Sequence, residues 1–208
     1  MHPIIALSVL EAVRASDLAK GDPRDEDHPG QEAVKLGRTA SVAAQIDRYS
    51  AMVRRNNVIS AEELAGLFTL VSRRSDADLV FGDAGRRAGR HAAKRTALPL
   101  RILNRVLPRG LRDRVGRRLV RRAAARVFDI TIAHDGSNAA AVDGCGAQAI
   151  PGGGPCGLYG SGLAELLRTF TAFDGAYFRT ACRVRGDGTC RWSTTQEREA
   201  WNVAVFGD

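Results

Sequence analysis

Cysteine is missing from the first 144 residues of this 208-residue chain and then occurs four times, at Cys145, Cys156, Cys182 and Cys190. Four thiols confined to the last third ask for one local explanation. Lysine is almost missing too: Lys20, Lys35 and Lys94 stand among 31 basic residues, and the rest are arginine. Aromatic side chains are absent between Phe81 and Phe128, which removes base stacking as a mode of nucleic-acid binding in that stretch. Acids are nearly absent from part of the same stretch. Between Arg86 and Arg126, fifteen Lys/Arg face the single acid Asp113, so the window carries about +14 and the remainder about −6 of the net +8. No run approaches the roughly 20 apolar residues of a spanning helix. No G-x-G-x-x-G follows a predicted strand, and Gly152-Gly153-Gly154 lies before Pro155 without that spacing, so no nicotinamide or flavin motif is found.

Apolar residues make up 44% and charged residues 26%, the balance of an ordinary folded domain. The start has an apolar run, Pro3 to Leu10, with no basic segment before it, and Glu11 and Arg14 stand where a small-residue cleavage site would fall. The expectation is a mature cytoplasmic protein. Residues 3–14 read as an amphipathic helix with Ile4, Leu7, Leu10 and Val13 on one face, and Ser16 to Gly30 as an acidic loop. A helical pattern resumes from Gln31 to Met52. Ser60-Ala-Glu-Glu63 is a capping box opening a helix through Leu64, Leu67, Phe68 and Val71. Asp76 or Asp78 caps another, to Arg95, whose Gly82, Ala84, Gly85, Ala88 and Gly89 allow close approach by a second backbone. Arginine-rich helices follow over Pro99–Leu107 and Leu111–Ala125, with Leu100, Leu103, Leu107, Leu111, Val115 and Leu119 recurring every three or four residues as the inward face.

After Arg126 the period changes. Val127 to Ile132 alternates and ends at His134-Asp135-Gly136-Ser137, predicting a hairpin with a weak strand over Ala139–Val142. Ser161–Phe170 reads as a helix, Tyr177–Val184 as a strand, and Cys190–Ser193 as its antiparallel partner across Arg185-Gly186-Asp187-Gly188. The fold class is α+β, N-terminal helices packed on a small antiparallel sheet. Three regions make one compact unit: 1–40, a helix and acidic loop; 41–125, helices ending in the arginine-rich pair; and 126–208, an α+β part holding the cysteines.

A hairpin sets Cys182 and Cys190 at one end of the sheet, with Cys156 just before the preceding helix and Cys145 after the first hairpin. Four thiolates on short loops are what a tetrahedral zinc site uses. The alternative is four small buried hydrophobes, which cysteine often is.

The segment Cys156-Gly-Leu-Tyr-Gly-Ser-Gly-Leu-Ala-Glu-Leu-Leu, a strand, and Cys182-Arg-Val-Arg-Gly-Asp-Gly-Thr-Cys190-Arg-Trp192 resembles the 4-vinyl reductase domain superfamily, whose fold is related to membrane-trafficking subunits. Upstream, Asp47-Arg48-Tyr49, Glu62 to Phe68, Asp83 to Gly89, Leu98 to Pro108 and Leu111 to Arg122 resemble its bacteriochlorophyll-biosynthesis branch. The resemblance implies that Cys145, Cys156, Cys182 and Cys190 hold a structural zinc. Gly157 and Leu158 depart from the aromatic or histidine residues that often follow the first of these cysteines. The carboxylate ligand of some aromatic-sensing relatives would fall near Arg179.

The functional expectation is binding of a vinyl chlorophyllide-type tetrapyrrole, as a carrier or accessory protein or in 8-vinyl reduction. Without a hydride-carrying cofactor site, carrier is better supported than self-sufficient reductase. The alternative is a sensing module for an aromatic compound or lipid, acting through a partner. Candidate ligand contacts are His91, Arg90, Tyr159, Phe170 and Trp192; Trp201 is a further stacking candidate. For each, core packing or a solvated helix face is the competing role. A homodimer is expected, as is peripheral contact of Arg86–Arg126 with the inner membrane. Nucleic acid is disfavoured.

Overall fold

The computed structural model describes residues 1–19, 40–96, 108–132, 140–142, 155–171, 173, 175–188 and 190–194. Among them are six α-helices, α1 (Ile4–Ala19), α2 (Ala40–Arg54), α3 (Ala61–Ser72), α4 (Ala77–Lys94), α5 (Arg109–Phe128) and α6 (Cys156–Phe170). Three strands, β1 (Ala140–Val142), β2 (Tyr177–Ala181) and β3 (Cys190–Thr194), form an antiparallel sheet of order β1-β3-β2. The class is α+β. Cys145, Trp201, the acidic stretch 22–27, the helix expected over 99–107 and the glycines 152–154 lie outside the described residues.

One hydrophobic core runs from Ile4 to Trp192. The first two turns of α1 lie inside it: Ile4, Ile5, Ala6, Leu7, Ser8, Val9 and Leu10 are all buried, so the helix is covered there on every side rather than along the single face expected, while Arg14 and Leu18 further along it are exposed. It also runs on through Ser16 to Ala19, where a loop was expected. The continuation has a polar anchor. Arg74 donates to Asp17 at 2.5 Å and to Asp76 at 2.8 Å, and Ser16 Oγ donates to Asp76 at 2.7 Å. The two carboxylates hold the guanidinium still further above its already high pKa. Asp76 precedes α4, but its side chain serves this network instead of capping the helix. At α3 the capping box forms as expected, Ser60 Oγ accepting from the Glu63 N–H at 3.0 Å.

α4 is the hub, packed on α1 by one face and on α6 by the other. The face towards α6 is made of the small residues singled out in the sequence. A Cβ on Gly85 would stand 2.1 Å from Leu158 O, and one on Gly89 2.8 Å from Gly162 O. Only hydrogen fits there. The reciprocal glycine, Gly162, lies under the Phe128 ring, 2.6 Å from where its own Cβ would be.

Three sequence expectations are corrected. The strand over 127–132 and its hairpin do not form: α5 continues to Phe128, because Leu119, Val120, Ala123, Ala124, Val127 and Phe128 keep the three-to-four spacing of one buried helical face. Asp129 then turns the chain in the left-handed region (φ 55°), and β1 pairs with β3 instead. α6 begins at Cys156, five residues before the expected start, and so takes in Gly157 and Gly160 ahead of Gly162, which the expected helix already held. Leu111, expected inward, is half exposed.

Candidate functional site

β3 is the central strand, and its alternation sends Cys190 and Trp192 inward while Arg191 and Ser193 face out. β2 pairs antiparallel with it, Tyr177 opposite Thr194 and Arg179 opposite Trp192. Directly opposed residues share a face, so Tyr177 and Arg179 border the side that packs on α6.

β2 ends at a bulge between Arg179 and Ala181, and Cys182 follows in extended conformation. Residues 183–185 make one 3-10 turn, closed by Gly186 at φ 91°, a conformation that favours glycine. Asp187 clasps the turn at both ends: its carboxylate accepts from the Cys182 N–H at 2.6 Å, and its own N–H donates to Cys182 O at 3.3 Å. The Cys182 thiol is thereby fixed beside Cys190 and the first residue of α6.

There Cys156, Cys182 and Cys190 meet. All three are buried, their Sγ atoms lie within 4.8 Å of one another, and those of Cys156 and Cys182 are 3.5 Å apart. Metal–sulfur bonds of about 2.3 Å in a tetrahedron separate sulfurs by about 3.8 Å. The observed spacings bracket that value, and all three thiols are unbridged. The group can therefore hold a metal ion with three soft donors.

A cleft of about 470 Å³ opens beside the cysteines between α4, α6 and β2. Its floor is one face of α6, Gly157, Gly160, Ser161 and Ala164, hollow because these side chains are small. Trp192 and Tyr177 form a wall, and Arg86, Arg168 and Arg179 stand around it with Asp78. Trp192 is held by contact: a Cβ on Gly160 would be 2.9 Å from its Cδ1. Arg86 and Arg168 have only long intrahelical ion pairs, to Asp83 at 3.5 Å and Glu165 at 3.9 Å, while Arg168 also donates to Gly175 O at 2.5 Å.

Of the ligand contacts expected from sequence, Trp192 reaches this cleft. Tyr159 and Phe170 are core residues; Tyr159 packs between Phe128 and Trp192, with ring centroids 6.2 and 6.4 Å away. His91 faces α1, where its Nε2 lies 3.3 Å from Glu11 and its hydrogen bond lowers the Glu11 pKa. Arg90 is exposed on α4 and does not line the cleft. The sequence does not single out Arg168, Arg179 or Asp187 as binding residues, and Arg86 enters only as the first residue of the basic segment Arg86–Arg126. The three arginines come from separate elements, and only the fold converges them.

Compared with known protein families, curated proteins and solved structures, the chain gives no match.

Proposed function

We propose that the protein is a ligand-binding domain in which a structural zinc ion fastens the hairpin β2–β3 to α6, and the adjoining cleft takes a planar hydrophobic molecule bearing carboxylates. The observation that carries this reading is the placement of three arginines around an aromatic-walled, small-residue cleft. A cavity of this size lies in the range of small-molecule sites, about 300–1,000 Å³, and guanidinium groups recognise carboxylates by paired, charge-assisted hydrogen bonds.

Within that chemical class the sequence resemblance favours a vinyl chlorophyllide-type tetrapyrrole, held as a carrier or accessory protein of bacteriochlorophyll synthesis, and a fold of the 4-vinyl reductase kind. Tyr177 would stack against the ring system, with Trp192 packed behind the cleft wall, while Arg86, Arg168 and Arg179 bind its acid groups. Zinc is the metal best matched by buried thiolates; Cys156, Cys182 and Cys190 would supply three ligands and Cys145 the fourth. A four-thiolate shell has no open position, so the metal's part is structural.

The test is a titration with divinyl and monovinyl chlorophyllide, following pigment absorbance and tryptophan emission with and without NADPH. Binding without spectral conversion is expected, weakened about ten-fold or more in Arg179→Gln, the scale of a lost charge-assisted hydrogen bond. Conversion would make the protein a reductase. Failure of both pigments to bind, with binding of a small aromatic acid instead, would favour the sensing module. Elemental analysis of protein purified without chelator should give about one zinc per chain, lost in Cys182→Ser.

A further inference from the structure

Outside α5 the basic side chains are scattered and several are paired, Arg48 with Glu63, Arg87 with Asp83 and Arg95 with Val53 O and Asn56, while Arg54 and Arg90 stand singly on their helices. α5 differs. Among the described residues, Arg114, Arg117, Arg118, Arg121 and Arg122 have no hydrogen-bond or ion-pair partner. Arg114, Arg118, Arg122 and Arg126 are exposed, and Arg117 and Arg121 half-buried beside them.

The exposed positions follow one another three or four residues apart, Leu111, Arg114, Arg118, Arg122 and then Ala125 and Arg126, so they form a single ridge opposite the buried face of Leu119, Val120, Ala123, Ala124 and Val127. At 1.5 Å per residue, Arg114 to Arg126 spans about 18 Å. Like charges four apart destabilise a helix, and no acid on α5 beyond Asp113 relieves them. A helix that keeps this pattern against its own stability presents a surface for a polyanion.

We propose that the exposed ridge of α5 docks the protein on an anionic lipid surface. Three features favour lipid over nucleic acid. The ridge has no aromatic or amide side chain with which to stack on or read a base. Arg117 and Arg121 are partly sunk in the body on one flank, so the ridge is a low, flat face rather than a helix standing clear enough to enter a groove. Leu111, 50% exposed at one end, and the alkyl stems of the arginines suit the headgroup boundary, where guanidinium groups remain with the phosphates. This docking is independent of what the cleft binds.

The experiment is co-sedimentation of the full chain with vesicles of phosphatidylcholine alone and of phosphatidylcholine with about one-third phosphatidylglycerol, from about 0.05 to 0.5 M salt. Expected are binding to the anionic vesicles only, loss of it at high salt, and a partition coefficient about 100-fold lower in the triple variant Arg114→Gln/Arg118→Gln/Arg122→Gln, at roughly five-fold per arginine. Should the triple variant melt below the parent chain, Leu111→Glu is the second variant, with the same direction of effect at an exposed site. Absence of binding to the anionic vesicles overturns the proposal, as does binding that survives both variants. Tighter binding to a duplex oligonucleotide, abolished by the same arginine changes, also overturns it and assigns the ridge to nucleic acid.

Discussion

Replacing Gly85 by alanine adds one methyl group at the tightest point between α4 and α6. The new Cβ would lie 2.0 Å from Ser161 Oγ, 2.1 Å from Leu158 O and 2.9 Å from Leu158 C. The hydroxyl can rotate away. The carbonyl cannot, since it belongs to the helix backbone. Restoring an ordinary contact of about 3.4 Å requires the helices to part by about 1.3 Å there, and a gap of that order forfeits half or more of the dispersion contact along the seam. Gly89 over Gly162, and Phe128 over Gly162, would loosen with it. Overpacking of this kind costs up to about 3 kcal/mol or more, against about 1 kcal/mol returned by alanine's better helix propensity. We expect a net loss of about 2–3 kcal/mol, a melting point lower by about 4–12 °C for a chain of this size. The paired control is Gly66→Ala in α3, where a Cβ meets nothing within 4 Å; there the propensity gain stands alone, and the chain should melt about 1–4 °C higher. Thermal unfolding by circular dichroism reads both. Adding Ser161→Ala to Gly85→Ala should recover little, since the backbone oxygen stays. A Gly85→Ala protein that melts at or above the parent temperature would refute the close approach of the two helices.

Removing the guanidinium in Arg74→Met should cost about 3–5 kcal/mol, because two largely buried carboxylates, Asp17 and Asp76, would lose the cation that lies between them; a urea midpoint like the parent's would contradict the network. His2 is buried, and its pKa is lowered to about 4, first by burial and then by Arg95, the N-terminal ammonium and Arg126. Its Nδ1 accepts the Ile4 N–H at 3.2 Å, which requires the neutral ring. Between about pH 6.5 and 4 the unfolded chain binds the extra proton, so stability should be full above about 6.5 and fall as pH drops through that window; the slope should flatten in His2→Asn, and an unchanged profile would dismiss His2 as its source. Gly157→Leu projects into the open cleft, where a Cβ meets nothing within 4 Å. It should abolish ligand binding while shifting the melting point by little, and undiminished binding would move the ligand site elsewhere.

Much of the cysteine end was legible because its signals are local. Gly186-Asp187-Gly188 between two strand-like runs announces a turn, and the turn alone sets Cys182 next to Cys190. The arrival of Cys156 needed only the helix that follows it, though that helix begins at the cysteine itself. What escaped was decided by distant neighbours. Gly157 and Gly160 weaken a helix locally, yet Gly160 is required there by Trp192. Val127-Phe128-Asp129-Ile130 alternates like a strand, but Val127 and Phe128 extend the buried stripe of Ala123 and Ala124. Helix and strand periods coincide over so short a run, and packing against α6 settles which one forms. The arginine convergence around the cleft draws on residues 86, 168 and 179 and has no local signature at all.

The seam between α4 and α6 also bears on how the chain reaches its fold. Gly85 and Leu158 touch across more than seventy positions of sequence, so the hub helix cannot complete its burial until the C-terminal third has been synthesised. A contact so remote carries a loop-closure cost before any packing rewards it, and such topologies fold slowly. Until α6 arrives, α4 shows its neighbours a groove of glycine and alanine with little side chain to hold anything else. Small residues thus give the waiting surface little apolar area with which to capture a wrong partner, and the sequence that permits the closest approach in the finished protein also keeps the unfinished one from sticking.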